Sequence, residues 1–457
     1  MSESHLFNEF PEVSSKQWKQ KIQYDLKGAD YNETLVWDSP EDIKVKPFYH
    51  AEDLVTSSGP SSKTKEWYIA QSIYAGDAGK ANIKAKEVVG KGVESLVFTI
   101  PNEKINLIDL LQDIDIENIP LHFHFQHLDL GVIEKLLSHL KNSTAQIYLH
   151  LDPIGNLART GNWYHSMKED FLAIEKLVEL TSFSKTILPI GIDVSLYQNA
   201  GANMTQQLAY GLAHAHEYLT NFQSIAFAPT FKVAVGGNYF FEIAKIKALR
   251  WLWNTLSSEY GMDGDCHIMA IPSKRNKTLY DFNVNMLRTT SESMSAILGG
   301  ADTICNLSYD ALYHKDNEFA ERIAKNQLVL LKEESYFKEV SHAAEGAYYI
   351  ESLTHQLAEK ALDLFKQIEA SGGFLEALTK GKIQQKLKES AAKEQVLFDE
   401  NQTTLVGTNK FQNPDDRMNQ DLELYPFMKK RAEKTQIIPI IEKRLAEELE
   451  QKRLDNE

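Results

Sequence analysis

The sequence predicts an α/β protein built on a (β/α)8 TIM barrel. Between about residue 67 and residue 335, short β-branched or aromatic runs alternate with longer amphipathic segments. The strand candidates number eight, and eight strands each followed by a helix is the arithmetic of this barrel, whereas an open doubly wound sheet uses the same pattern with fewer strands. The 457 residues leave room for one such barrel plus accessory segments.

Taken in order, the strand runs are WYIAQSIY from 67, SLVFTI from 95, PLHFHF from 120 and QIYLHL from 146. ILPIGIDVS from 187, SIAFAP from 224, CHIMAIP from 266 and TICNLS from 303 follow. Between them VIEKLLSHL, FLAIEKLVEL, QQLAYGLAHAHEYL, FFEIAKIKALRWLWNTL and SESMSAIL carry apolar residues at helical spacing. The first strand follows an unusual polar loop, SSGPSSKTK.

Residues 1–60 fall outside the repeat and predict an extended N-terminal arm. Trp18, Tyr24, Leu26, Tyr31, Leu35, Trp37, Phe48 and Tyr49 are strung along a polar segment, too many large apolar anchors for a solvated linker. Such an arm lies across a partner or across the barrel itself. The barrel is assigned to residues 61–340 and a C-terminal helical extension to 341–457. In the extension, ESLTHQLAEKALDLFKQIEASGG is a helix stopped by the pair Gly372-Gly373. GGFLEALTKGKIQQKLKESAAKEQ makes a second helix, and the tail from Pro439 reads as a highly charged, solvated helix.

The formal net charge of −15 argues against nucleic acid and an anionic membrane surface as main partners. Two cysteines, Cys266 and Cys305, make no disulfide framework and no Cys-pair zinc spacing, so a reducing, cytoplasmic setting is the expectation. MSESHLFNEF lacks the basic and apolar regions of a signal peptide, and no apolar run approaches the roughly 20 residues of a membrane span.

His122 and His124 lie two apart on the third strand, hence on one face. His127 follows, and His150 and Asp152 close the fourth strand. A His-X-His pair at a barrel mouth suits zinc, and His267 is the nearest further ligand candidate. The competing reading has these rings filling a layer of the barrel. Gly236-Gly237 precedes a helix, where glycine N–H groups cradle phosphate or simply make a βα turn. Gly299-Gly300 reads as a helix cap, and Asp310 as a surface turn.

A further set of residues recurs in a telling order. At the N-terminus stand Trp18-Lys19, Leu26-Lys27-Gly28 and Val45-Lys46-Pro47-Phe48-Tyr49. The barrel holds Ala200-Gly201-Ala202, Glu242-Ile243-Ala244-Lys245, Arg288-Thr289-Thr290, Leu298-Gly299-Gly300-Ala301 and Glu321-Arg322-Ile323-Ala324. Beyond it come Tyr348-Tyr349-Ile350-Glu351, Gly372-Gly373, Val406-Gly407-Thr408-Asn409 and Arg431-Ala432-Glu433. In this order the chain resembles the methylmalonyl-CoA mutase family. Catalytic members carry Ser-Gly-Tyr-His-Met-Gln-Glu-Ala-Gly-Ala at the end of the fifth strand, where the His donates to the substrate thioester carbonyl. Here Ser195 and Leu196 occupy the Tyr and His positions, and a leucine neither donates a hydrogen bond nor holds a proton. The first strand of catalytic members ends Trp-X-Ile-Arg-Gln-Tyr-Ala-Gly. Here Ala70 and Ser72 stand at its Arg and Tyr, although Tyr74-Ala75-Gly76 would realign if the strand carried a short bulge. The cobalt-ligating Asp-X-His-X-X-Gly loop does not occur in the sequence.

Together these losses resemble the small (beta) non-catalytic subunit of heterodimeric members. The resemblance implies a barrel with no cobalamin-binding domain, paired with a catalytic large (alpha) subunit. It implies adenosylcobalamin in the complex but on the partner chain, and no catalytic residue or metal on this one. Gln71 and Gln198 remain as a vestigial substrate pocket. Two alternatives stay open: the substrate-barrel chain of a split acyl-CoA mutase with a separate cobalamin-binding subunit, and a metal-dependent barrel hydrolase resting on His122 and His124.

Overall fold

The computed structural model describes residues 10–54, 66–140, 143–182, 184–222, 227–339, 343–428 and 434–457. The loop at 57–65 and Arg431-Ala432-Glu433 lie outside them. Eight parallel strands close into a barrel: β1 Tyr68–Tyr74, β2 Ser95–Ile100, β3 Leu121–Phe125, β4 Ile147–Leu151, β5 Ile187–Asp193, β6 Thr230–Val235, β7 His267–Pro272 and β8 Thr303–Cys305. Each strand pairs with its sequence neighbour, and β8 returns to β1 through Thr303–Tyr68, Ile304–Ile69 and Cys305–Ala70. The period of two decides which side chains go where. Ile69, Ile73, Leu96, Phe98, Leu121, Phe123, Phe231 and Val233 face the helical sheath and join the main apolar core. Ala70, Val97, Met269 and Cys305 face inward and form a separate small cluster.

Seven of the eight strands match the sequence reading. The sixth is displaced: the strand is Thr230–Val235, not the run from 224, of which 224–226 lie outside the described residues. TFKVAV alternates as a barrel strand should, with Phe231, Val233 and Val235 buried outward, but the inward Lys232 interrupts its apolar appearance.

The arm is less extended than its composition suggests. Ser15–Asp25 is a helix with a capping box between Ser14 and Gln17, and none of its residues is buried. The chain then docks on its own barrel. Tyr31 and Ile43 are buried, a two-stranded ribbon pairs Trp37–Asp38 with Lys44–Val45, and Trp37 meets Phe241 edge-on at 5.8 Å. Glu41 fastens this segment by accepting from the N–H groups of Met204 (2.9 Å) and Thr205 (3.4 Å), at the start of the helix Met204–Asn221. Burial pushes the Glu41 carboxyl up to about 7, against those hydrogen bonds. Because the folded value lies above the unfolded one, this contribution is present below about pH 4.5 and fades as pH rises through 7. Glu41→Gln is therefore expected to remove about 2 kcal/mol of stability loss between pH 5 and 8, read as a flatter series of urea midpoints. Parallel pH profiles for variant and wild type would contradict this.

The helix Tyr348–Ala370 ends, as expected, at Gly372 and Gly373, whose φ values of 110° and 90° favour glycine. The second helix is two, Phe374–Thr379 and Lys382–Asp399, broken at left-handed Gly381 (φ 75°). The tail differs most from its reading as a solvated helix. Only Glu447–Leu454 is helical. Before it, residues 436–445 run extended across the C-terminal end of the barrel. Gln436 and Ile437 donate to the Gly161 carbonyl, Ile440 to Ala158, Lys443 to Asn199 and Leu445 to Arg275. These acceptors follow β4, β5 and β7, so the tail straps three βα connections together. No helix among the described residues is long and apolar enough to cross a membrane.

Candidate functional site

The barrel opens under this strap into a cavity of about 640 Å³ at the C-terminal ends of its strands. Such a position is where barrel folds place their chemistry. Asp193, closing β5, is its electrostatic hub. Its Oδ2 meets Arg159 Nη2 at 2.8 Å and Lys232 Nζ at 3.3 Å, and its Oδ1 accepts from the Ser195 hydroxyl and, at 3.2 Å, from the Ser195 N–H. Burial raises the Asp193 carboxyl, but Lys232 and Arg159 outweigh it and hold the group below the usual carboxylate range. Arg159 also donates from Nη1 to Glu442 Oε2 at 2.8 Å, while Asn199 Nδ2 donates to Glu442 Oε1 at 3.0 Å. Lys274 faces the same cavity. Its side chain keeps contact with water, yet desolvation at the mouth lowers its ammonium, and Glu442 is the chief charge opposing that shift.

Below the cavity the barrel axis is closed by rings. His122 stacks on Tyr148 at 4.3 Å, Tyr148 meets His267 at 4.0 Å, and His124 stacks on His150 at 3.9 Å. His122 Nδ1 and His150 Nε2 share a hydrogen bond of 2.9 Å, and His267 Nε2 contacts Thr303 Oγ1 at 3.0 Å. His150 reaches this position through a register slip of β4 against β5 between Tyr148 and Leu151 and through a left-handed backbone, φ 44°. Gly191 makes the room: a Cβ there would stand 2.6 Å from His150 Cα. Burial keeps all four imidazoles neutral, lowering His124 to about 3, His267 to about 4, and His122 and His150 well below 6.5.

The paired histidines therefore share one face, as their spacing predicts, and fill barrel layers. Among the described residues no group of three or more His, Cys, Asp or Glu is arranged to hold a metal ion. Asp152 instead caps the helix Pro153–Thr160 through the Gly155 N–H at 2.8 Å and accepts from His214 and Tyr218, both at 2.8 Å. His127 packs edge-on to Phe125, away from the cluster. Gly236 offers its N–H to Glu242 at 2.7 Å, so it is a satisfied turn and not an open phosphate cradle. Asp310 is a buried turn, not a surface one, accepting from Asn317 (2.8 Å) and His314 (3.1 Å).

Of the positions singled out by resemblance, Ser72 and Ser195 line the cavity. Ala70 is buried inside the barrel. Leu196 is 1% exposed and belongs to the main apolar core. β1 keeps an unbroken register against β2 from Ala70–Ser95 to Tyr74–Thr99, so no bulge brings Tyr74 to the place of Ser72. Gln71 points to the sheath, donating to Glu321 at 3.1 Å. Gln198 is buried beside the mouth, accepting from Lys245 Nζ at 3.0 Å. Arg159, Lys232, Lys274 and Glu442 were not singled out by the sequence. Lys232 inside the otherwise apolar run TFKVAV is a signal that could have marked the mouth.

The family model for methylmalonyl-CoA mutase matches residues 107–456. The chain belongs to the methylmalonyl-CoA mutase family. A methylmalonyl-CoA mutase small subunit of Porphyromonas gingivalis is 34% identical over 89% of this chain and 71% of its own length. A small subunit from Streptomyces virginiae is 27% identical over 88% of this chain and 71% of its own length. A methylmalonyl-CoA mutase large subunit of P. gingivalis is 32% identical, but over only 48% of this chain and 33% of its own length. The two small-subunit matches thus cover close to nine-tenths of this chain and the large-subunit match about half of it.

Proposed function

We propose that this chain is the small (beta) subunit of an adenosylcobalamin-dependent methylmalonyl-CoA mutase. It serves as structural partner of a catalytic large (alpha) subunit that interconverts (R)-methylmalonyl-CoA and succinyl-CoA. The observation that carries the reading is Leu196, an apolar side chain sealed in the core at the position where catalytic relatives carry their proton-holding His. Ala70 and Ser72 supply neither the guanidinium nor the phenol of the first strand. His124 and His150, which line the mouth, are held neutral, His124 to about pH 3 and His150 well below 6.5, and are poorly matched to proton transfer near neutrality.

The cofactor of this family supplies a homolysable cobalt–carbon bond. The residues at this mouth do not fit it: the strap at 436–445 crosses the barrel end that a corrin would face, and the ring layers fill the axis beneath. The cofactor and the substrate belong to the large subunit. The exposed helix Ser15–Asp25, with Trp18 at 50% and Tyr24 at 81% exposure, supplies contact to that partner. Large aromatic anchors of this kind dominate interface energetics.

Co-expression with the large subunit of the same organism tests the reading. A stable 1:1 complex is expected, active with added adenosylcobalamin. The small chain alone is expected to show no turnover. Inactivating the large subunit's site while leaving this chain intact abolishes activity on this reading. Turnover that survives that inactivation would make this barrel a catalytic site and overturn it.

A further inference from the structure

We propose that the mouth of this barrel is a carboxylate-binding site whose ligand is supplied by the chain itself: the side chain of Glu442. The inference does not rest on the subunit reading, because it concerns only residues of this chain and the cavity they line.

The geometry is that of a held ligand. The two oxygens of Glu442 are taken separately, one by the Arg159 guanidinium at 2.8 Å and the other by the Asn199 amide at 3.0 Å. A guanidinium plus a neutral donor is a common way to hold a carboxylate. The arrangement is not an accident of a loose tail. The backbone on either side is fixed, by the N–H of Ile440 on Ala158 and by the N–H of Lys443 on Asn199. Ile440 is buried, whereas Ile441 next to Glu442 is 49% exposed, so the strap anchors an apolar side chain below and turns the carboxylate sideways into the mouth.

Charge points the same way. Arg159, Lys232 and Lys274 line the cavity against Asp152, Asp193 and Glu442. Asp193 already serves Arg159 and Lys232, while Lys274 forms no ion pair among the described residues. Removing Glu442 would leave three cations facing two carboxylates, Asp193 and Asp152, at a mouth only partly shielded from water, a net positive charge that favours an incoming anion. The buried His124 Nε2 also has no hydrogen-bond partner and lies on the cavity wall. A cavity of about 640 Å³ has room for a small carboxylate once the internal one is gone. The ligand class is a small monocarboxylate of the size of formate or acetate, entering where the glutamate head stood.

Chemical rescue tests the assignment in the full-length chain. Glu442→Ala is expected to lower the Tm by about 2 °C. Sodium acetate or formate, titrated at constant ionic strength against sodium chloride, is expected to restore most of that loss along a saturable millimolar curve. The wild-type Tm should move by less than about 1 °C over the same titration. The rescue should vanish in Glu442→Ala/Arg159→Gln. Should Glu442→Ala fail to fold, Glu442→Ser, which also vacates the place of the glutamate head, is titrated with acetate by calorimetry, and saturable binding absent from wild type is the expected result. The proposal is overturned if the folded variant shows no saturable response, if wild type binds acetate equally well, or if rescue persists without Arg159.

Discussion

Glu450→Ala is expected to detach the last helix from the barrel and to lower global stability by about 3–5 kcal/mol. Glu450 is fully buried. One of its oxygens pairs with Arg444 Nη1, and the other accepts from the Leu279 N–H at 2.7 Å. Burial pushes its carboxyl up, and the Arg444 charge and hydrogen bond only partly offset this. Arg444 is itself 5% exposed, donates to the carbonyls of Lys277 (3.3 Å) and Pro426 (3.3 Å), and lies 5.9 Å from the Phe427 ring. Truncating the acid leaves that guanidinium buried without its counter-charge and the Leu279 N–H without an acceptor. Two nearby substitutions set the scale. Glu448→Ala removes a partner of Lys443 whose side chain is 59% exposed, and should cost under about 1 kcal/mol. The double change Arg444→Leu/Glu450→Leu removes both charges together and should recover most of the loss. Urea unfolding gives the magnitudes, and hydrogen exchange at Leu279 and across 444–454 shows whether the tail has come away. A Glu450→Ala cost no larger than that of Glu448→Ala would return the tail to a solvated end.

That pair also shows why the tail was illegible from sequence. Arg444 and Glu450 are six apart, a spacing that places no two side chains together on one helix. They meet because Arg444 lies in the strap and Glu450 in the helix, with the chain turning between them. Composition alone favours a solvated helix for IIEKRLAEELEQKRLDNE, and only the contacts with the connections after β4, β5 and β7 reverse that expectation. The barrel, in contrast, was legible strand by strand, because alternation writes the inward and outward faces directly into the chain. It failed at β6, where Lys232 serves the mouth and spoils the apolar pattern that marks a strand. The site divides along the same line. His122 and His124 share a face by spacing alone. His150 joins them only through a left-handed residue and the space left by Gly191, neither of which has a periodic signature. Arg159 and Glu442, 283 residues apart in the chain, meet through tertiary folding. Leu196 gained meaning from resemblance alone, since nothing local distinguishes it from any other core leucine.

The ring layers make the barrel acid-labile, and the effect is expected to be large. His124 and His267 titrate at about 3 and about 4 in the fold, and His122 and His150 lie well below 6.5. Burial is the leading cause in all four. In the unfolded chain each returns to about 6.5, so the unfolded state binds more protons as soon as pH drops below that value. Their contribution is therefore complete above about pH 6.5 and is lost as pH falls toward the folded values. One pKa unit corresponds to about 1.4 kcal/mol, so by pH 4 His124 and His267 together withdraw about 6 kcal/mol, comparable to the whole stability of many domains. Two carboxylates bear on the same scan. Glu41, raised to about 7, gains in stabilising effect between pH 7 and 4.5 and partly opposes the loss. Asp193, held low after Lys232 and Arg159 outweigh its burial, adds to the loss only once pH falls below about 4. A steep fall in Tm between pH 6.5 and 4 is therefore expected. His124→Phe isolates one member of the set. The His124 Nε2 has no hydrogen-bond partner to lose, and a phenyl ring preserves the stacking on His150 while removing the titration. The variant should match wild type within about 1 kcal/mol at pH 8 and be more stable than wild type at pH 4.5, with about one proton fewer taken up on unfolding. Equal slopes for the two proteins across this range would show that His124 is already solvated and chargeable in the fold. A wild-type Tm unchanged between pH 7 and 4.5 would show the same of the whole ring layer.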